Sequence, residues 1–331
     1  MLMMRFGVNK FISILCAALL ISSASILCLT GASTAKKDDY IKYAEFNVTY
    51  PALEKAMDID IATHEETVHL SWVDILSYLG AKYGGDFKKY KENDMDELTE
   101  KLKNGEKLEK LTADMKYYSY YHEVYSAVLG GLIGDYTEYS EENGKVKTEK
   151  KYGLKAYCPI AATFPYSEFD DFGASRSYGY KRLHLGHDMM CAVGTPIICI
   201  EDGTVECLGW NQYGGWRIGI RSKDKKRYYY YAHLRQNRPY HADIEEGMEV
   251  KAGQVIGYAG RTGYSTKENV NNIETPHLHW GLELVFDESQ KESDNEIWIN
   301  LYSLTMLLAK HKSETTRIPE TKEYYSLSQK H

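Results

Sequence analysis

The sequence has no excess of positive charge and no basic run. Its 331 residues include 40 lysines and arginines against 47 aspartates and glutamates, a formal net charge of -7 at pH 7. General nucleic-acid binding requires a basic face that contacts the phosphates. The composition therefore argues against nucleic acid as a partner.

The sequence also has few cysteines and no C-x-x-C pair. Two of the six lie near the N-terminus, and the others are Cys158, Cys191, Cys199 and Cys207. An exported chain can form disulfides. Three of the four lie in apolar, strand-like segments, where cysteine is most often a small buried hydrophobe. The disulfide state is left open.

A third absence is the zinc motif H-E-x-x-H. The nearest approach is His64-Glu65-Glu66-Thr67-Val68-His69, which has one residue too many between its histidines. On a helix, residues i and i+5 diverge by well over about 100° and cannot share a metal as i and i+4 would. We interpret this segment as a surface loop.

The N-terminus resembles a targeting segment. Arg5 and Lys10 precede an uncharged apolar run, 11–30, that is followed by small residues at Ser33 and Ala35. Such a pattern fits either a cleaved signal peptide or an uncleaved membrane anchor. We predict that residues 1–37 have one of these roles and that the protein acts outside the cytoplasm.

The rest of the chain divides where its hydrophobic pattern changes. Residues 38–139 show mostly helical periodicity and predict a small helical domain of unknown role, with helices at 71–83, within 94–110 and at 117–132. Residues 140–155 are charged and weakly patterned, which is typical of a linker. Residues 156–311 form a second domain that ends in a helix, and 312–331 is predicted to be a polar tail.

The sequence of the second domain predicts many short strands joined by glycine turns. Segments 195–200 and 204–208 predict a hairpin, and 216–221 with 227–234 predict another strand pair. This pattern implies an antiparallel sheet or sandwich. The predicted fold class is therefore α+β, with a small N-terminal helical domain followed by an antiparallel β domain.

Tyrosine is abundant and clustered, at 117–121 and 228–231. Aromatic surfaces of this kind can stack on sugars, so a glycan-binding protein is one alternative. Half-buried strand positions explain the clusters equally well. We favour the second interpretation.

Two histidine clusters carry the strongest chemical signal. His277 and His279 are two residues apart and would share one face of a strand, roughly 7 Å from each other. His184 and Asp188 share a face if their segment is extended. Catalytic zinc typically takes three His or carboxylate ligands and leaves one position for water. His184, Asp188 and His279 can supply this set, with His277 and His233 as candidates for proton transfer.

Residues 181–285 resemble the lysostaphin-type (LytM-like) zinc endopeptidases, which cut peptide bonds in bacterial peptidoglycan. The resemblance lies in an ordered series: His184-x-Gly186-x-Asp188, Gly194-Thr195-Pro196 with Asp202-Gly203, Tyr231-Ala232-His233-Leu234, Gly253-Gln254-Val255-Ile256-Gly257 and Pro276-His277-Leu278-His279. Each part alone is unspecific, but all five in order are highly specific.

The resemblance implies one zinc ion per chain, bound by His184, Asp188 and His279. It implies that His277 is the general base and that His233 steadies the oxyanion or assists proton transfer. The implied substrates are peptidoglycan stem or cross-bridge peptides, and the implied location is the cell wall or a membrane-anchored cell surface. The scissile bond and protein partners stay open.

Two features depart from the family pattern. The polar loop 267–274 is longer than usual and could form one wall of the substrate-binding groove. His187 stands where an apolar residue is expected, and we predict a partly buried, hydrogen-bonded side chain that is not a ligand. A non-catalytic wall-binding or regulatory module of the same fold is the main alternative, but such a module would be expected to lose a ligand or a proton-handling histidine.

Overall fold

The computed structural model describes residues 40–178, 180–291 and 293–330. The predicted signal peptide or anchor, 1–37, lies outside the described residues. Within them, every helix is too short or too polar to cross a membrane. All elements below belong to one compact unit, Lys42–His331.

The first part of the described chain is helical, as predicted. Its helices are α1 (Tyr50–Thr63), α2 (Trp72–Tyr83), α3 (Glu92–Lys103), α4 (Leu108–Thr112) and α5 (Tyr118–Leu129), with a 3₁₀ turn at Phe87–Lys89. The predicted end of α2 is confirmed, because Gly84 adopts the left-handed conformation (φ +64°) that closes many helices. Helix α1 was not located from the sequence, since small residues and the buried Asp60 interrupt its apolar face.

The segment predicted as a linker, 140–155, is mostly part of a β-hairpin. Strands β1 (Ile133–Glu142) and β2 (Lys145–Leu154) pair antiparallel along their whole length. Asn143 and Gly144 form the turn with φ of +54° and +74°. Two left-handed residues favour the tight hairpin turn for which Asn-Gly is the strongest signal. The linker prediction is therefore wrong, while the other domain boundaries stay predictions.

An antiparallel sheet of eight strands forms the centre of the second part. Its order is β11 (Glu249–Val250), β8 (Gly203–Asn211), β9 (Gly215–Ser222), β10 (Arg227–Ala232), β13 (His277–Leu284), β6 (His187–Met190) and β3 (Ser167–Glu168), and β14 (Ile297–Trp298) also pairs with β13. The predicted pairing of β9 with β10 is confirmed. So is the α+β class, because helices precede an antiparallel sheet.

The predicted hairpin of 195–200 with 204–208 is wrong. Strand β7 (Pro196–Ile198) pairs instead with β12 (Val255–Tyr258), and β8 pairs with β9 and β11. Every residue of β7 is buried, and Ile198 packs with Val255 and Ala161 in a small core. A strand buried on both faces carries no alternation from which its partner could be read.

The C-terminal segment is structured. Helix α6 (Tyr302–Leu308) lies within the predicted range 298–311 and is shorter than that range. The predicted polar tail instead contains β15 (Thr315–Arg317) and β16 (Tyr324–Ser326), which pair antiparallel. Glu323 beside them is 2% exposed and accepts hydrogen bonds from Tyr258 and Arg238. Buried polar pairing of this kind gives no hydrophobic signal in the sequence.

The remaining short elements are β4 (Ser175–Tyr178), which pairs with β5 (Tyr180–Leu183), and 3₁₀ turns at Glu288–Gln290 and Leu327–Lys330. The cysteines of the described residues, Cys158, Cys191, Cys199 and Cys207, form no disulfide.

Candidate metal centre

Strand β13 places two histidines at one end of the main sheet. His277 and His279 alternate with Leu278, so they share a face, as the sequence predicted. In the ladder, His279 lies directly opposite Asp188 of β6. His184 comes from the turn after β5, so the segment 184–188 is not a continuous strand as the sequence argument assumed.

The three predicted ligand atoms lie close together. His184 Nε2 is 3.0 Å from Asp188 Oδ1 and 3.0 Å from His279 Nδ1, and the last two atoms are 2.8 Å apart. His184 and Asp188 are each 6% exposed. Ligand atoms about 2.0 to 2.2 Å from a tetrahedral zinc lie roughly 3.3 Å from one another, so only a small opening is needed. Two imidazoles and a buried carboxylate fit zinc in spacing and in chemistry.

The turn at Gly186 requires a residue without a side chain. A Cβ there would lie 2.5 Å from the ring atoms Cε1 and Nε2 of His279 and 2.9 Å from the carbonyl oxygen of Trp280. Glycine thus lets the turn that carries His184 approach β13 closely. This explains why a glycine belongs between His184 and Asp188.

Two residues that the sequence did not single out hold the ligands in place. Asp171 Oδ1 accepts a hydrogen bond from His184 Nδ1 at 3.1 Å. Arg176 forms ion pairs with Asp171 and with Asp188 Oδ2, the latter at 3.3 Å. A carboxylate behind a ligating histidine fixes its tautomer and leaves the other nitrogen for a metal.

The electrostatics of Asp188 and His279 suit metal ligation, whereas at His184 the lowering effect of burial is outweighed by Asp188, which raises the pKa of that histidine. Burial raises the pKa of Asp188, but hydrogen bonds from His184 and His279 outweigh it and hold that pKa well below its usual range. Burial lowers the pKa of His279, and Asp188 only partly opposes this shift. At neutral pH the carboxylate is ionised and His279 is neutral, the forms in which both groups bind metals.

The two other candidate histidines present equivalent nitrogen atoms to the site. His277 Nδ1 lies 2.8 Å from the carbonyl oxygen of Thr275, and His233 Nδ1 lies 2.9 Å from that of Thr262. A carbonyl can only accept, so both Nδ1 atoms carry the proton and both Nε2 atoms are free to accept one. His277 Nε2 is 3.7 Å from Asp188 Oδ1.

His233 directly follows β10, close to the predicted strand end, in a left-handed conformation with φ of +60°. Its ring centroid is 4.8 Å from that of His277 and 5.7 Å from that of His279. Burial, followed by the repulsion that His277 and His279 would exert when protonated, holds the pKa of His233 well below its ordinary value. His233 is therefore neutral and close enough to exchange protons with groups bound at the centre.

The histidines outside this group behave as predicted. His187 is 2% exposed and bonds Glu168 at 2.7 Å, away from the ligand face. His64 stacks on Tyr152 with ring centroids 3.4 Å apart, and His69 bonds Asp60 at 2.9 Å in a loop after α1. Among the described residues, His184, Asp188 and His279 are the one cluster of three with metal-ligand spacing.

The tyrosine cluster of β10 is mainly structural. Tyr228, Tyr229 and Tyr231 are 5%, 1% and 0% exposed. Tyr230 faces the candidate site, with its ring centroid 6.1 Å from that of His279. The strand interpretation of this cluster is confirmed for the three buried residues.

The long loop 267–274 is anchored beside the site. Asn269 Oδ1 accepts hydrogen bonds from Trp216 Nε1 at 2.9 Å and from the Asn237 backbone at 2.8 Å. Asn271 Nδ2 donates to Gln236 Oε1 at 2.9 Å. The loop is thus fixed by named contacts, and its effect on substrate choice stays a prediction.

Comparison with known proteins identifies the class to which this site belongs. Residues 182–293 match the model of peptidase family M23. The chain therefore carries an M23 peptidase domain, and the predicted resemblance is confirmed.

Three curated relatives show the range of this class. The L-Ala–D-Glu endopeptidase of Bacillus subtilis is 34% identical over 152 residues, 46% of this chain and 44% of that protein. Glycyl-glycine endopeptidase ALE-1 of Staphylococcus capitis is 40% identical over 98 residues, 29% of this chain and 24% of its own. Peptidoglycan DD-endopeptidase ShyC of Vibrio cholerae is 30% identical over 156 residues, which are 47% of this chain and 31% of that protein. The chain spans less than half the length of each.

One solved structure matches most of the chain. A candidate glycyl-glycine endopeptidase, lytM, from Ruminococcus gnavus superposes with a TM-score of 0.54 at 23% identity, covering 82% of this chain and 91% of that one. The likeness shows a shared fold that extends beyond the peptidase domain.

Proposed function

We propose that this protein is a zinc-dependent endopeptidase that cleaves peptide bonds in peptidoglycan stem or cross-bridge peptides. The observation that carries the proposal is the pairing of a three-ligand cluster with two histidines whose Nε2 atoms face the same space. The names of the relatives support the substrate class. The proposed place of action is outside the cytoplasm, at the cell wall or a membrane-anchored cell surface.

In the proposed mechanism, His184, Asp188 and His279 hold the zinc. Bound zinc supplies a Lewis acid that polarises a carbonyl and lowers the pKa of water. His277 Nε2 accepts the proton of the attacking water, because Thr275 fixes its tautomer with that nitrogen unprotonated. The scissile C–N bond breaks, and the products are a carboxylate and an amine.

In this scheme His233 relays to the leaving amine the proton that His277 takes from the attacking water, since the two ring centroids are 4.8 Å apart. In the tautomer that the contact with the Thr262 carbonyl assigns, Nε2 can accept a proton but can donate only after accepting one. Of its two predicted roles, proton transfer to the leaving amine therefore fits the neutral side chain better than direct stabilisation of an oxyanion. Buried histidines contribute general acid–base catalysis of about 10²- to 10⁴-fold.

The non-catalytic alternative receives no support from the site. A wall-binding module has no need for three ligands, an oriented base and a second oriented histidine, and this chain retains all of them. The glycan-binding alternative loses part of its support, because three of the four tyrosines of the cluster 228–231 are buried.

The decisive test separates His279 from His277. We expect His279→Ala to lose both zinc and activity, and His277→Ala to keep zinc while turnover falls by about 10²-fold or more. The measurements are zinc content after dialysis and new amino termini released from purified cell walls by the full chain.

His122→Ala is the matched control, since His122 is a partly exposed histidine that bonds Asp74 at 3.0 Å in the helical part. It should leave zinc content and cleavage unchanged. Loss of zinc in His277→Ala would make His277 a ligand and overturn its assignment as base. Normal cleavage by His279→Ala would overturn the proposed function.

A further inference from the structure

A guanidinium group lies at the edge of the candidate metal centre and belongs to none of the roles above. Arg182 precedes His184 by two residues on β5. Its Cζ atom lies 5.1 Å from the ring centroid of Tyr213 and 5.0 Å from that of Tyr264. The Tyr264 ring is 5.9 Å from His233. Arg182 is therefore held between two aromatic rings, one of which contacts a proton-handling histidine.

The position of Arg182 is fixed, but its charge is not neutralised by the protein. Nη2 donates to Tyr264 Oη at 2.5 Å, while Nε is buried without a hydrogen-bond partner. The ion pairs of the described residues include four other arginines, Arg176, Arg221, Arg227 and Arg238, and do not include Arg182. An arginine has five N–H donors, and this one uses one of them.

The two carboxylates of the candidate metal centre are already engaged. Asp171 bonds His184 and Arg176, and Asp188 bonds His184, His279 and Arg176. A half-buried cation without an anionic partner is costly, because burial removes water without supplying a counter-charge. The rigid, planar fork of an arginine matches a carboxylate best. A carboxylate that enters the cleft with a ligand would complete this arrangement.

We propose that Arg182 is a specificity residue that binds a free carboxylate of the peptide substrate. The proposal rests on the proposed function and narrows it. The preferred substrates are acidic peptides that carry a carboxylate within reach of the scissile bond, and uncharged peptides such as oligoglycine are poorer substrates. Tyr213 and Tyr264 hold the guanidinium in place before substrate arrives, so little side-chain entropy is lost on binding.

The test uses matched synthetic peptides. The parent peptide is L-Ala–γ-D-Glu–L-Lys–D-Ala–D-Ala, which has a free α-carboxylate on D-Glu and a free C-terminus. One partner peptide is amidated on the D-Glu carboxylate, another is amidated at the C-terminus, and amidated pentaglycine is the neutral reference. The pair that differs in affinity identifies which carboxylate Arg182 binds.

Binding is measured first, in the His277→Ala background, so that turnover is not required. We expect the parent peptide to bind about tenfold to a hundredfold more tightly than one amidated form. Adding Arg182→Gln should lower the affinity for the parent peptide to that of the amidated form. The affinity for the amidated form itself should not change. Arg182→Lys should retain part of the preference, because it keeps the charge without the fork.

Turnover is then compared in the otherwise unaltered protein. Arg182→Gln should raise KM for the acidic peptide and leave zinc content and Tm unchanged. The exposed control Arg317→Gln should change none of these three quantities and should keep the preference for the acidic peptide. The proposal would be overturned if the parent protein bound all the peptides with equal affinity. It would also be overturned if Arg182→Gln lowered the affinity for charged and amidated peptides by the same factor. Absence of cleavage of walls and peptides alike, with the binding preference intact, would instead overturn the proposed function.

Discussion

At the scale of single residues, identical side chains are given different chemistry by the group behind them. His184 has a carboxylate at Nδ1, whereas His277 and His233 have backbone carbonyls at Nδ1. A carboxylate increases the electron density that a ligating nitrogen offers to a metal. A carbonyl only fixes the tautomer. In the proposed mechanism this difference separates His184, a metal ligand, from His277 and His233, which carry protons.

This division predicts a specific role for Asp171. We expect Asp171→Asn to weaken zinc binding about 10- to 100-fold, because His184 loses its anionic partner and Arg176 loses one of two carboxylates. Zinc affinity is measured by competition with a chelator of known affinity.

Glu168→Gln is the control for Asp171, since Glu168 bonds a buried histidine, His187, that is not a ligand. Its zinc affinity should match that of the unaltered chain. Equal zinc affinities in Asp171→Asn and Glu168→Gln would show that Asp171 does not orient His184.

Sequence reasoning reached the residues of the site but not their supports. The H-x-G-x-D and H-x-H spacings predicted four of the five side chains that the structure brings together, and the Tyr-Ala-His-Leu segment supplied the fifth, His233. Asp171 precedes His184 by 13 residues and has no motif around it. The carbonyl groups of Thr262 and Thr275 act through the main chain, so no side-chain pattern could reveal them.

At the scale of elements, the site depends on how closely the turn 184–186 approaches β13. Gly186→Ala would place a methyl group 2.5 Å from the His279 ring. We expect weaker zinc binding and a loss of about 1–3 kcal/mol in the free energy of unfolding, because the backbone must move to relieve the overlap. Chelator competition and urea unfolding measure the two effects.

Gly153→Ala in β2 provides the comparison for Gly186. The nearest atom to its added Cβ is 3.6 Å away, an ordinary van der Waals contact. Stability should change by less than about 1 kcal/mol, and zinc binding should not change. If both alanine variants bind zinc equally well, the close approach at Gly186 is not required.

The elements themselves were predicted unevenly, for physical reasons. Helix α2 has a regular apolar stripe and a glycine end, so the sequence located it. The hairpin of β1 and β2 is strongly charged, and its Asn-Gly turn was the one signal that distinguished it from a linker. Strand β7 was recognised as a strand, but its partner was not. Ile198 pairs with Val255 of β12, 57 residues further along the chain, and local sequence patterns cannot predict a pairing at that separation.

At the scale of the whole molecule, one buried arginine joins the helical part to the sheet. Arg227 is 1% exposed and donates to both carboxylate oxygens of Glu201, at 2.8 and 3.0 Å. Its Nη1 also donates to the carbonyl oxygen of Ala127 in α5 at 2.7 Å. A cation near the C-terminal end of a helix is favourable for the helix dipole. The two predicted domains are thus bonded through a shared polar group.

We expect Arg227→Met to lower the free energy of unfolding by about 3–5 kcal/mol, because Glu201 becomes a buried charge without its partner. Replacing Glu201 by Leu in the same chain should recover part of that loss, since no buried charge then remains. Urea unfolding, followed by circular dichroism, gives both values.

Asp224→Asn serves as the reference for Arg227, because Asp224 also pairs with Arg227 but its side chain is 46% exposed. Asp224→Asn should lower the free energy of unfolding by less than about 1 kcal/mol, as loss of other exposed ion pairs does. A cost for Arg227→Met no greater than that of Asp224→Asn would mean that the buried network does not stabilise the joined structure.

The ladder between β6 and β13 also determines when the candidate ligand set can be complete. Asp188 and His279 face each other only in the native register, and His184 is 95 residues from His279 along the chain. A slip of one residue would present Leu278 or Trp280 in place of His279. Under the proposed assignment, the three ligand atoms therefore come together only once β6 and β13 have paired, so zinc would be bound at full affinity, and cleavage would begin, only late in folding.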